Sequence, residues 1–68
     1  EKIQISWESI SPDQLIIRNQ AGQVVKRLNC SSEKEVELQI AHWSNGVYFI
    51  ELNGGDLLRP IHRKLVKN

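Results

Sequence analysis

The sequence predicts an all-β fold, a sandwich or small barrel of six short strands, and three observations carry that reading. Apolar and polar residues alternate with the two-residue period of a half-buried strand. Short clusters of Gly, Asn, Asp, Ser and Pro separate the alternating runs. No stretch shows a convincing 3.6-residue helical period. The 68 residues, 40% hydrophobic and 25% charged, fit one small domain. A chain this short buries only about 60% of the surface its unfolded form exposes, which argues against a deep catalytic pocket.

Lys2 to Trp7 alternates Ile3, Ile5 and Trp7 with Lys2, Gln4 and Ser6, and predicts the first strand. Glu8 to Gln14 breaks the pattern. Within it, Ser11-Pro12-Asp13 has turn chemistry: Pro fixes its backbone angle, and Asp can bond to backbone just beyond itself. Leu15 to Arg18 is the second strand, β-branched at Ile16 and Ile17. Asn19-Gln20-Ala21-Gly22 turns the chain into Gln23 to Leu28, so these two strands form a hairpin.

A polar loop from Asn29 to Lys34 leads to Glu35 to Ile40, the most regular alternation in the chain. Ala41 to Gly46 is a turn. Val47 to Leu52 follows as a strand, with Tyr48, Ile50 and Leu52 on one face. Asn53-Gly54-Gly55-Asp56 reads as a flexible hairpin loop. Leu57 to Val66 is the last strand, with Pro60 at an edge or bulge because it cannot donate to a ladder. The inward set is expected to be Ile5, Leu15, Ile17, Leu38, Ile40, Tyr48, Ile50 and Leu65.

Charge is uneven along the chain. The net charge is +1, too balanced to indicate nucleic acid. Yet residues 57 to 68 carry Arg59, Arg63, Lys64 and Lys67 with no acid, against eight acidic and five basic residues before them. This basic end is either a solvated strand or a recognition surface.

Candidate chemistry is sparse. His42, His62 and Cys30 lack the close spacing of zinc ligands. Cys30, the only thiol, has no sequence-local base to make it a nucleophile and reads as structural. Glu33, Glu35 and Glu37 would share a strand face turned to water. Trp7, Trp43, Tyr48 and Phe49 read as core packing rather than a sugar or base platform. Asn29-Cys30-Ser31 matches a glycosylation pattern too short to be informative. Gly54-Gly55 is no phosphate loop, since no helix follows it. No catalytic constellation, metal or cofactor is expected.

Three blocks nevertheless occur in a telling order. They are Leu15 to Val25 with its turn residue Gly22, Trp43-Ser44-Asn45-Gly46-Val47-Tyr48-Phe49-Ile50, and Lys64-Leu65-Val66-Lys67 near the chain end. In these the chain resembles the type A C-terminal sorting domains of cargo proteins exported by the type IX secretion system of Bacteroidetes. The resemblance implies that Gly22, Gly46, Tyr48, Lys64, Leu65, Val66 and Lys67 belong to the sorting motif. It also implies an immunoglobulin-like sandwich of about seven strands, so that six to seven mostly antiparallel strands are expected. The family's opening Asn-Pro element has no counterpart in these residues. The acidic row at Glu33 to Glu37 and the Arg59-Pro60 step have no counterpart in the family.

The expected function is therefore non-catalytic. Residues 1–68 form a single sorting domain, cut from a larger protein, which directs an attached cargo across the outer membrane to the surface or medium by way of the periplasm. Its implied partners are the outer-membrane translocon, its shuttle proteins and a sortase-like peptidase, with no nucleic acid and no small-molecule substrate. The alternative is an immunoglobulin-like or fibronectin-like adhesion or carbohydrate-binding module. A monomer is expected in dilute solution, with strand-edge dimers at high concentration.

Overall fold

A computed structural model describes residues 1–68 and contains six strands and no helix. They are β1 (Lys2–Ser6), β2 (Gln14–Asn19), β3 (Val24–Asn29), β4 (Glu35–Gln39), β5 (Gly46–Asn53) and β6 (Ile61–Lys67). All neighbours are antiparallel. β1 and β4 form a two-stranded sheet, and the other four form a sheet in the order β3-β2-β5-β6. The fold is a small β-sandwich.

Alternation builds the core from both sheets. Leu15 and Ile17 of β2 are fully buried, and Tyr48, Ile50 and Leu52 of β5 lie beside them. Leu38 and Ile40 close the core from the smaller sheet, with Trp7 and Cys30 filling its ends. Of the expected inward set, Ile5 and Leu65 are only half-buried. Two strands cannot roof four, so the outer strands of the larger sheet keep part of their inner face open.

The structure corrects four expectations. The last strand begins at Ile61, not Leu57, and Pro60 stands just before it. With no N–H and a fixed φ, Pro60 ends the irregular stretch that holds Leu58 in solvent. Phe49 is not core: it pairs with Arg18 on one side and Lys64 on the other, and is 44% exposed on the outer face. Asp13 does not simply cap its own turn. Its carboxylate accepts the Gly55 N–H at 2.9 Å and the Ser31 hydroxyl at 3.2 Å. The Gly54-Gly55 loop is thus braced rather than flexible, since the Asp56 carboxylate also accepts the Ser11 N–H at 2.7 Å.

Candidate functional site

The sorting-motif residues converge at one end of the sandwich. In the β5–β6 register Gly46 faces Lys67, Val47 faces Val66, Tyr48 faces Leu65 and Phe49 faces Lys64. Two blocks with thirteen residues between them in sequence are therefore one stretch of ladder. Gly22 (φ +86°) lies in the neighbouring β2–β3 turn. There the Asn19 side-chain oxygen accepts the N–H groups of Ala21 and Gln23, both at 3.0 Å. The turns at 19–22 and 43–46 flank a shallow hollow between them.

Alternation divides the motif by role. Tyr48 points inward, and its hydroxyl donates to the Ser44 carbonyl at 2.6 Å, fixing the turn ahead of its own strand. Its ring lies 4.9 Å from that of Trp43, tilted by 41°, a packing geometry typical of aromatic pairs. Gly46 has φ +150°, where a side chain is strained, and it is the register partner of Lys67 across the ladder.

Lys67 overturns its reading as part of a solvent-facing basic tail. Its side chain is 10% exposed, and its ammonium donates to the Trp43 carbonyl at 2.9 Å. The Glu1 carboxylate lies 4.0 Å from it. Lys67 ties the end of β6 to the turn that opens β5. The position opposite a glycine gave no hint of this, because the acceptor is a backbone carbonyl 24 residues away.

The outward residues compose a different surface. Val47, Phe49, Lys64 and Val66 share the outer face of β5 and β6, and Arg18 and Val24 extend the row across β2 and β3. Val24, Phe49 and Val66 are exposed. Beside them, Glu51 accepts from Arg18 at 2.8 Å and from Asn53 at 2.6 Å, with His62 Nε2 at 3.4 Å. The Asn53 hydrogen bond, supported by Arg18, holds the Glu51 carboxyl below the usual glutamate range against the opposing effect of burial. This cluster was not legible in the sequence, since only the strand register sets His62 opposite Glu51 and Arg18 diagonal to it.

Cys30 is fully buried, and its Sγ lies 3.6 Å from the Pro12 carbonyl. Burial pushes its thiol pKa up, and Asp13 and Glu33 add to the shift, the reverse of what a nucleophile needs. No three of the His, Cys, Asp and Glu side chains converge on one point.

Along its whole length, residues 1–68, the chain matches the family described as the secretion system C-terminal sorting domain. No curated protein and no solved structure matches it. The chain belongs to the C-terminal sorting family, whose members act as secretion signals for the type IX system rather than as catalysts. As such a signal it interacts with the secretion machinery and directs export across the outer membrane.

Proposed function

We propose that this member of the sorting family is recognised through the outer face of its β5–β6 ladder, with Lys64, Val66, Val47 and Phe49 as the contact surface. Gly22, Gly46, Tyr48, Leu65 and Lys67 hold that surface in shape. The observation that carries this reading is the register: the two motif blocks are partners on adjacent strands, and alternation exposes one half of each. The partners are the outer-membrane translocon and its shuttle proteins. The cargo then reaches the medium or the outer-membrane surface from the periplasm, with a sortase-like peptidase as a further partner in those members whose domain is removed.

The chemistry suits this role. Exposed apolar side chains supply area, and cations set the direction and speed of encounter. Arg59 and Lys64 remain in solvent while Lys67 is tied to the Trp43 carbonyl, and Arg63, opposite Ile50, lies on the other face from Lys64 and donates to the His62 carbonyl at 2.8 Å, so Lys64 is the exposed cation of this outer face. Pro60 beside the edge strand β6 and the row of like charges on it disfavour strand pairing between copies, which supports a monomer. No observation favours the adhesion or carbohydrate-binding reading.

Export of a cargo fused to this domain tests the proposal. Lys64→Glu and Phe49→Ser alter outward side chains, so melting is expected to stay close to wild type while cargo accumulates in the periplasm. Normal export from these folded variants would show that another surface carries recognition. Lys67→Glu is the contrasting variant: it breaks the tie to the Trp43 carbonyl and should lower the melting temperature before any effect on export is read.

A further inference from the structure

The bracing of the connection between β5 and β6 stops short of its end. Asp13 holds the Gly55 N–H, Asp56 holds the Ser11 N–H, and the Leu57 N–H donates to the Gly54 carbonyl at 3.1 Å. From there to the start of β6 at Ile61 the chain is loose. Leu58 and Arg59 make no backbone hydrogen bond, and Leu58, Arg59 and Pro60 are all exposed. Because Arg59 precedes a proline, its backbone is biased towards the extended region. Exposed backbone without internal hydrogen bonds is where an endopeptidase gains access to a folded chain.

The side chains decide which endopeptidases can use it. Leu58 lies fully in solvent, whereas Leu57, the other leucine outside the strands, is half-buried. The aromatic residues outside the strands are Trp7 and Trp43, and both are covered and bonded. Trp7 N–H donates to the Lys34 carbonyl and Trp43 N–H to the Ile40 carbonyl, both at 3.0 Å, while Lys67 holds the Trp43 carbonyl. An enzyme with an apolar specificity pocket therefore finds one open residue. An enzyme that takes a basic residue finds none. Of the nine Lys and Arg, only Lys34 and Arg59 lie outside the strands. The Lys34 carbonyl is engaged by Trp7, and the bond after Arg59 is made to Pro60, whose nitrogen carries no hydrogen and whose ring crowds the leaving side.

We propose that the Leu58–Arg59 bond is a site of limited proteolysis, open to endopeptidases that take leucine and closed by Pro60 to those that take arginine. Water adds across this peptide bond, its hydroxyl going to the Leu58 carbonyl carbon and its proton to the Arg59 nitrogen. The cut separates Arg59–Asn68, which contains Lys64-Leu65-Val66-Lys67, from the chain before it. One bond thus cancels the sorting signature, a consequence that rests on the sorting function.

Chymotrypsin and trypsin test the proposal, because they share a mechanism and differ in the specificity pocket, apolar in one and acidic in the other. Brief digestion of the folded chain by chymotrypsin is expected to give Glu1–Leu58 and Arg59–Asn68 as the first products in mass spectrometry, while trypsin leaves the chain intact. Leu58→Asp changes a side chain in solvent, so it should slow the chymotrypsin cut by about tenfold or more at an unchanged melting temperature. Pro60→Ala should admit trypsin at the bond after Arg59, and adding Arg59→Gln to it should close that bond again, which separates side-chain recognition from a loosened loop. A first chymotrypsin cut at another bond, no cut under conditions that digest the unfolded chain, trypsin cleavage of the folded wild type, or a Pro60→Ala chain that still resists trypsin overturns the proposal. None of these outcomes bears on export, which the cargo fusion measures separately.

Discussion

A Cβ placed on Gly55 would collide with the Ser11 carbonyl oxygen, whereas one on Gly46 would meet only the end of the Gln20 side chain at 3.4 Å. Both glycines have positive φ, so backbone strain is common to them and close approach distinguishes them. Gly46→Ala should cost about 1–3 kcal/mol from the backbone alone. Gly55→Ala adds overpacking of about another 1–3 kcal/mol, and thermal or urea melting of the two variants gives their order. Gly46→Val should melt lower still than Gly46→Ala, because a β-branched side chain tolerates positive φ poorly; an unchanged melting temperature would contradict the turn. Turn chemistry made Gly46 legible in the sequence, but Gly55 was read as flexible because the carbonyl it packs on is 44 residues away. Cys30 was legible for a simpler reason, as a lone thiol in a small core. A thiol reagent should leave native Cys30 unmodified and label it once denaturant opens the core, since burial withholds the thiolate.

Strand alternation made five of the six strands readable to within a residue or two at either end, and it failed where a strand's neighbours rather than its own pattern decide. Pro60 moved the start of β6; the outer position of Phe49 instead follows from the alternation of β5 itself, with Tyr48, Ile50 and Leu52 inward, and was obscured by counting every aromatic as core. The Arg18–Glu51–His62 cluster, by contrast, is a product of β2, β5 and β6 pairing, and it has a measurable consequence. Glu51 is held below its ordinary value of 4.5, so between the two values the folded chain binds fewer protons at this site than the unfolded one. The contribution is fully present above pH 4.5 and is lost as pH falls through the folded-state value. Glu51→Gln should therefore flatten the acid limb of a stability-against-pH curve and lower stability near neutrality, as chemical denaturation at several pH values will measure. An acid limb identical to wild type would mean that the cluster contributes nothing.

For the whole molecule, the division into sheets sets the pattern of stability. The order β3-β2-β5-β6 could not be read from alternation, because pairing joins segments far apart in sequence, and the sandwich came from family resemblance more than from period. The two sheets share no backbone hydrogen bond, so β1 and β4 are held to the larger sheet by side chains alone. Leu38 is the deepest of these within the strand pair, and Leu38→Ala should cost about 2–5 kcal/mol, a large fraction of what a domain of this size can hold. Because β2 and β5 lie between other strands and carry the most buried side chains, their amides should open only with global unfolding. The β1–β4 pair, with both edges free, should open at lower cost in a separate sub-global step. Hydrogen exchange followed by NMR will distinguish the cases: Leu15 and Ile50 amides should be the slowest, and Ile3 and Leu38 amides faster at the same pH. Equal protection of all four would show that side-chain packing alone couples the sheets into one cooperative unit.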